Sequence, residues 1–174
     1  MYQWRVTKYD PRRRDRRGRY RGDDWTAASD VGGAFDGQTL SLEDYLSVED
    51  QYVATAMHFL RESGLDGLMV VDLESRSPDS LPDESPLPDV LSAGPPLAEG
   101  QRLSGADLER AIRLNLRSLL WCKLEEPGRF FIHFGHDYYM YIGSAVPCPE
   151  SIAFAHRVGL FVEEMESPYN VATG

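Results

Sequence analysis

The chain is poor in the residues that usually advertise chemistry. Its 174 residues hold two cysteines, Cys122 and Cys148, and four histidines. Two thiols cannot make the dense disulfide framework of a small secreted domain, and they are expected to be reduced core residues. No apolar run approaches the roughly 18 residues of a membrane span. The opening MYQWRVTKYD lacks the apolar core of a signal peptide, so the expected compartment is the cytoplasm. Nucleotide and hydrolase signatures are missing as well: there is no GxGxxG, no GxxxxGK[ST] and no GxSxG. DVGGAFDG (30–37) is glycine-rich, but without the lysine and preceding apolar strand of a phosphate cradle it reads as turns. No cofactor is expected.

Positive charge is also scarce, with 18 Lys and Arg against 28 Asp and Glu for a net charge of −10. Seven of those bases crowd into PRRRDRRGRYRG (11–22), which contains one acid, Asp15. The remainder is strongly acidic and would repel a phosphate backbone, so nucleic acid is not an expected partner. Only Tyr20 in the run is available for apolar burial. The run is therefore expected to be a solvated connector, with contacts to acids such as Asp83, Glu84 and Asp89. Replacing its arginines by serine should then leave function nearly unchanged. The alternative is that Arg12, Arg13, Arg14, Arg16 and Arg17 bind phosphate, RNA or an acidic partner.

What remains is the composition of a folded protein, 42% hydrophobic and 11% aromatic, long enough for one domain over 1–174 with a real core. Residues 2–9 alternate as a half-buried strand. Ser41 and Asp44 open a helix that Gly64 ends, and LMVVDL (68–73) reads as a buried strand. Residues 75–100, with six prolines and five acids against Arg76, are expected to form a mobile surface loop. A second helix is expected from Ser104 to about Cys122. RFFIHF and YYMYIG form a hairpin around Gly135–Asp137, a third helix starts at Pro149, and LFVEEM makes a last strand. The order implies an α+β fold: a largely antiparallel sheet of five or six strands, with two or three helices mainly on one face.

Within that frame Glu49 stands out, because it falls near the centre of the apolar stripe Leu42, Tyr45, Leu46, Tyr52, Val53, Ala56, Met57 and Leu60. Burying a lone carboxylate costs several kcal/mol, so it must be paired, hydrogen-bonded or protonated. A tyrosine hydroxyl or Lys8 is the expected partner. In an enzyme, Glu49 would instead be a general acid, with His136 and Asp137 of the hairpin turn beside it. Asn115 is a similar polar intrusion on the second helix, whose opposite face carries Arg110, Arg113 and Arg117. His133 and His136 are three apart on a strand pattern, hence on opposite faces and poorly placed to share a metal; no metal site is expected. Phe131, His133, Tyr139 and Tyr141 could form an aromatic recognition patch or lie under a helix or loop.

The stretches WRVTKYDP, DDWTAASDVG, LSLEDYLSVEDQY and HFGHDYYMYIGS…GLFVEEMESPY together resemble a family of small bacterial proteins, a resemblance that covers most of the chain outside 75–100 and implies no activity or site residue. In general character the chain is also similar to immunity proteins that block toxins. The expected function is thus a bacterial protein-interaction module, an immunity-type inhibitor of a basic toxin domain. A small enzyme acting on a nucleotide-like or phosphate-bearing substrate is the alternative.

Overall fold

The computed structural model describes residues 1–75, 87–90 and 92–170. The elements are β1 (Tyr2–Thr7), β2 (Ala34–Phe35), β3 (Gln38–Thr39), α1 (Leu42–Glu62), β4 (Gly67–Ser75), β5 (Arg102–Ser104), α2 (Gly105–Leu116), β6 (Leu120–Glu126), β7 (Phe130–Phe134), β8 (Met140–Ser144), α3 (Pro149–Arg157) and β9 (Phe161–Glu164). Seven strands form one antiparallel sheet in the order β5-β4-β6-β7-β8-β1-β9, and β2 and β3 make a separate hairpin. The α+β class is as the sequence implies. The main sheet has more strands because β5 is only three residues and the first residues of β6, 120–122, read as the end of the second helix.

Period-2 alternation explains the sheet's two faces. Registers Val70↔Leu124, Leu124↔Ile132, Ile132↔Ile142 and Ile142↔Trp4 set apolar side chains in a row across five strands. All five are buried in the core against which the helices pack. Fully burying each such side chain contributes roughly 1.5–3 kcal/mol. From α1, Tyr45, Tyr52, Val53, Ala56, Phe59 and Leu60 join them.

The helix ends are set by local chemistry. Ser41 Oγ accepts the N–H of Asp44 at 3.0 Å, and Gly64 adopts φ 70° just beyond α1. The carboxylate of Glu62 accepts the N–H groups of Glu150 and Ser151, so the last turn of α1 caps the first turn of α3. Ser104 and Asp107 have the spacing of a capping pair at the start of α2, but Ser104 makes no side-chain cap bond. That helix stops at Leu116, six residues early, where Ser118 turns left-handed and Leu120/Cys122/Leu124 begin to alternate with Trp121/Lys123/Glu125.

Asn115 explains itself in this junction. Its side chain accepts the N–H of Cys122 at 2.9 Å and donates to the carbonyl of Ala111, tying the end of α2 to β6. Both cysteines are free and buried, and burial pushes the Cys122 thiol up to about 11.

Of the 75–100 segment, residues 76–86 and 91, including Asp83 and Glu84, lie outside the described residues. The described part is fastened to α2. Arg110 donates to the carbonyls of Val90, Gly94 and Pro95, and Arg117 to that of Pro88. Leu87 and Leu97 pack on the core. The arginine face of α2 is consequently covered rather than solvated.

On the sheet's other face, residues 165–170 cross from β9. Ser167 hydroxyl meets His133 Nδ1 at 2.8 Å, and Tyr169 lies against Trp121, His133 and Tyr141. Beneath this segment, Gly143 pairs with Phe131, and a Cβ at 143 would overlap the Phe131 ring. That ring is buried and stacked on His133 at 4.1 Å, so it has little room to yield. Gly143→Ala is expected to lower stability by about 1–3 kcal/mol, measured as a shift of the denaturation midpoint. An unshifted midpoint would mean that this face is loosely packed.

Candidate functional site

The β7–β8 turn is strained. Asp137 and Tyr138 both have left-handed backbone, φ 58° and 64°, in a tight turn that lacks the usual glycine. Such positions cost on the order of 1–3 kcal/mol each for non-glycine residues. Buried hydroxyls hold the turn in place: Tyr9 donates to the Asp137 carbonyl at 2.8 Å and Tyr52 to the Tyr138 carbonyl at 2.9 Å. Tyr138 points inward among Trp25, Tyr45 and Tyr52, while His136 and Asp137 are exposed.

A second irregularity lies across the sheet. The β4–β6 register shifts between Val71 and Glu74, with Asp72 left-handed at φ 54°. Glu99 accepts the amides of Asp72 and Leu73, replacing the ladder partners that the bulge removes.

A groove joins these two features. About 540 Å³ is lined by Glu74, Ser118, Trp121, His136, Asp137, Tyr139 and Tyr169, among others. A further hollow of about 560 Å³ shares Glu74, Trp121 and Tyr169 and extends to Asp72, Glu99 and Lys123. Among the described residues six non-glycine side chains sit on left-handed backbone, and four of them, Asp72, Ser118, Asp137 and Tyr138, line these hollows. Strain gathers where the surroundings over-determine a shape, which is the habit of binding and active sites. The wall is aromatic: Trp121 donates its indole N–H to the Phe134 carbonyl and meets Tyr169 at 5.6 Å. The rim is acidic, with Lys123 paired to Asp72 at 2.7 Å as the offsetting base.

Glu49 is elsewhere. It is fully buried, and its oxygens receive Arg117 Nε at 2.5 Å and Nη2 at 2.7 Å, Arg113 Nη1 at 2.7 Å, and the Tyr45 hydroxyl at 3.1 Å. Tyr138 donates in turn to Tyr45 at 3.0 Å. The tyrosine partner is the expected one. Lys8 is not a partner; two arginines of α2 take its place, and one of them, Arg117, also donates to the carbonyl of Pro88. With every lone-pair direction engaged, Glu49 serves as an internal ion-pair centre, apart from exposed His136 and Asp137.

Of the aromatic candidates, Tyr139 reaches the groove, whereas Phe131, His133 and Tyr141 are buried beneath residues 165–170. His133 also contacts Glu125 at 2.8 Å. Trp121, Tyr169 and Glu74 were not legible as site residues: one sits in an apparent helix, one in an aperiodic tail, and one beside the 75–100 segment.

The arginine run meets several acids among the described residues, while the expected Asp83 and Glu84 lie outside them. Arg12 pairs with Asp10, Arg21 with Asp15, and Arg14 with Glu163, while Arg13 lies 3.7–3.8 Å from Asp24 and Asp36. Arg16 and Arg17 stay exposed.

Lys8 offers a pH signature. Its ammonium lies 4.1 Å from both the Tyr9 and Trp25 rings and 3.7 Å from Asp24. Burial outweighs these favourable contacts and lowers it to about 8 from 10.5. Between those values the unfolded chain holds a proton that the folded one has released, so stability should rise with pH from about 8. Denaturation at pH 7 to 9.5 should show this rise, and Lys8→Met should flatten it. An equal slope in both proteins would refute the assignment.

Among the described residues no group of three or more His, Cys, Asp or Glu is placed to hold a metal. No helix of the described chain is long and apolar enough to cross a membrane. Compared with known proteins, the chain matches no family model, no curated protein and no solved structure.

Proposed function

We propose that this chain is a bacterial cytoplasmic interaction module that holds a basic segment of another protein in the Trp121–Tyr169 groove, acting as an immunity-type inhibitor of a basic toxin domain. The observation that carries the reading is the groove itself: an aromatic wall, a carboxylate rim and four strained residues held by internal bonds. Rigid aromatics make large contacts at low entropic cost, and rim carboxylates steer a basic partner into register. The net charge of −10 extends that attraction beyond the groove.

Co-expression with the product of the adjoining gene, followed by sizing chromatography, tests this. A basic protein is expected to co-elute with the wild-type chain and to separate from Trp121→Ala, a truncation that should cost about 2 kcal/mol or more of binding, ~30-fold. Co-elution unchanged by Trp121→Ala would move the contact elsewhere. Turnover of a small phosphate ester that depends on His136 would favour an enzyme instead.

A further inference from the structure

The 11–22 loop is built rather than loose. Asp10 receives the Arg12 amide at 2.9 Å and its guanidinium, Asp15 receives the amides of Arg17 and Arg19, and a bridge between Arg14 and Tyr20 closes the loop. Arg14 anchors it to the sheet through the Tyr139 hydroxyl at 3.1 Å and Glu163 at 3.2 Å. The acids nearby are already engaged with Arg12, Arg13, Arg14 and Arg21. Among the described residues, the exposed side chains of Arg16, Arg17 and Arg19 make no ion pair. The tip therefore presents three cations that have no ion-pair partner among the described residues, on a chain with an excess of acid.

The tip stands beside the Tyr139 end of the groove, and the acidic bulge lies toward the other end of the same sheet face. Arg14 meets the sheet at Tyr139, just before β8, and at Glu163 of β9. The bulge carrying Asp72 and Glu74 is on β4, with β6 and β7 between β4 and β8. One face thus runs from cations through the Tyr169 and Trp121 rings to carboxylates. Such a face is complementary to itself: a two-fold axis lying in the contact, across the line from tip to bulge, sets each tip over the other molecule's carboxylates.

We infer that this chain pairs with a second copy of itself when its groove is empty, each arginine tip covering the acidic end of the other's groove. The inference rests on the groove being the binding site and adds its regulation: self-pairing and partner capture exclude each other. The net charge of −10 opposes approach and exposed ion pairs are individually weak, so the dimer is a weak one that a partner displaces.

Sedimentation of the purified protein in roughly 0.1 M salt, where pairs in contact still attract, reads this directly. The weight-average mass should climb with concentration from 19.7 kDa toward twice that value. The triple variant Arg16→Glu, Arg17→Glu, Arg19→Glu should associate at least ~10-fold more weakly, and so should Glu74→Arg. All four positions are exposed, so the variants should fold, as a preserved thermal midpoint would verify. Mixing the two variants should restore pairing, because an acidic tip then meets a groove made less acidic while the native tip meets the native groove. A wild-type chain that stays at 19.7 kDa, or a mixture that stays monomeric, overturns the inference. So does a monomer whose tip binds a short RNA, which would assign the arginines to nucleic acid. Partner affinity that still depends on Trp121 in a monomeric protein removes only the self-pairing, whereas partner affinity indifferent to Trp121 removes the groove reading itself.

Discussion

Glu49→Gln is expected to destabilise the fold by about 3–5 kcal/mol, because it leaves buried guanidinium groups facing a neutral amide. Arg117, 4% exposed at its side chain, loses a bidentate partner and cannot turn to water. Arg113 is less exposed to the loss, since Asp50 lies 2.7 Å from its other nitrogen. The same arginines fasten α1 to α2, and Arg117 also holds the carbonyl of Pro88, so the damage should extend to that side of the fold. Replacing Glu49, Arg113 and Arg117 together by Met, Met and Leu should cost less than the single change, since no unpaired charge remains. Urea denaturation of the three proteins at constant slope is the measurement. A Glu49→Gln midpoint within about 1 kcal/mol of wild type would show that the carboxylate does not organise this junction.

Alkaline pH should unfold the protein steeply. Tyr9, Tyr45, Tyr52 and Tyr138 are all nearly or fully buried, and their hydroxyls donate to carbonyls, to Glu49 or to one another. Burial raises each above the ordinary tyrosine value of 10, and the acceptors around Tyr45 and Tyr138 add to the rise. Above pH 10 the unfolded chain loses these protons while the folded chain keeps them. Stability gained below that point is therefore lost as pH rises. Once the unfolded tyrosines are mostly ionised, each contributes ~1.4 kcal/mol per pH unit and four contribute about 5. That slope overtakes the rise caused by Lys8 and exhausts an ordinary folding stability within one or two units. Absorbance at tyrosinate wavelengths should stay low until a cooperative transition in which ionisation and unfolding coincide. Gradual ionisation of all tyrosines while the fold persists would contradict the buried hydroxyl network.

The parts of this architecture that were legible share one property: their signal is local. Trp4 and Val6 alternate against Gln3 and Arg5, the β7 and β8 residues alternate around a short turn, and the α1 stripe fixes the phase of Glu49. What failed depended on distant segments. LNLRSLLWCKLEE (114–126) holds a helix end and a strand, and only the left-handed Ser118 separates them. Three like charges on one face of α2 are compatible with a solvated face, a covering acidic loop or an acidic partner, and nothing within the helix decides among them. Likewise, the burial of Phe131, His133 and Tyr141 depends on residues 165–170, which have no periodicity of their own. The groove was least legible, since Glu74, Trp121 and Tyr169 meet only through the sheet order and a bulge.

The central claim is that the groove captures a basic protein, and calorimetric titration of the co-eluting partner tests it most directly. Glu74→Lys and Trp121→Ala should be titrated beside Arg61→Ala, an exposed change on α1 away from the groove. The expected result is a loss of ~30-fold or more for Trp121→Ala, a loss for Glu74→Lys that shrinks as salt rises, and no change for Arg61→Ala, with the midpoints of the two exposed variants preserved and Trp121→Ala titrated well below its own lowered midpoint. Equal affinities across the four proteins would contradict it.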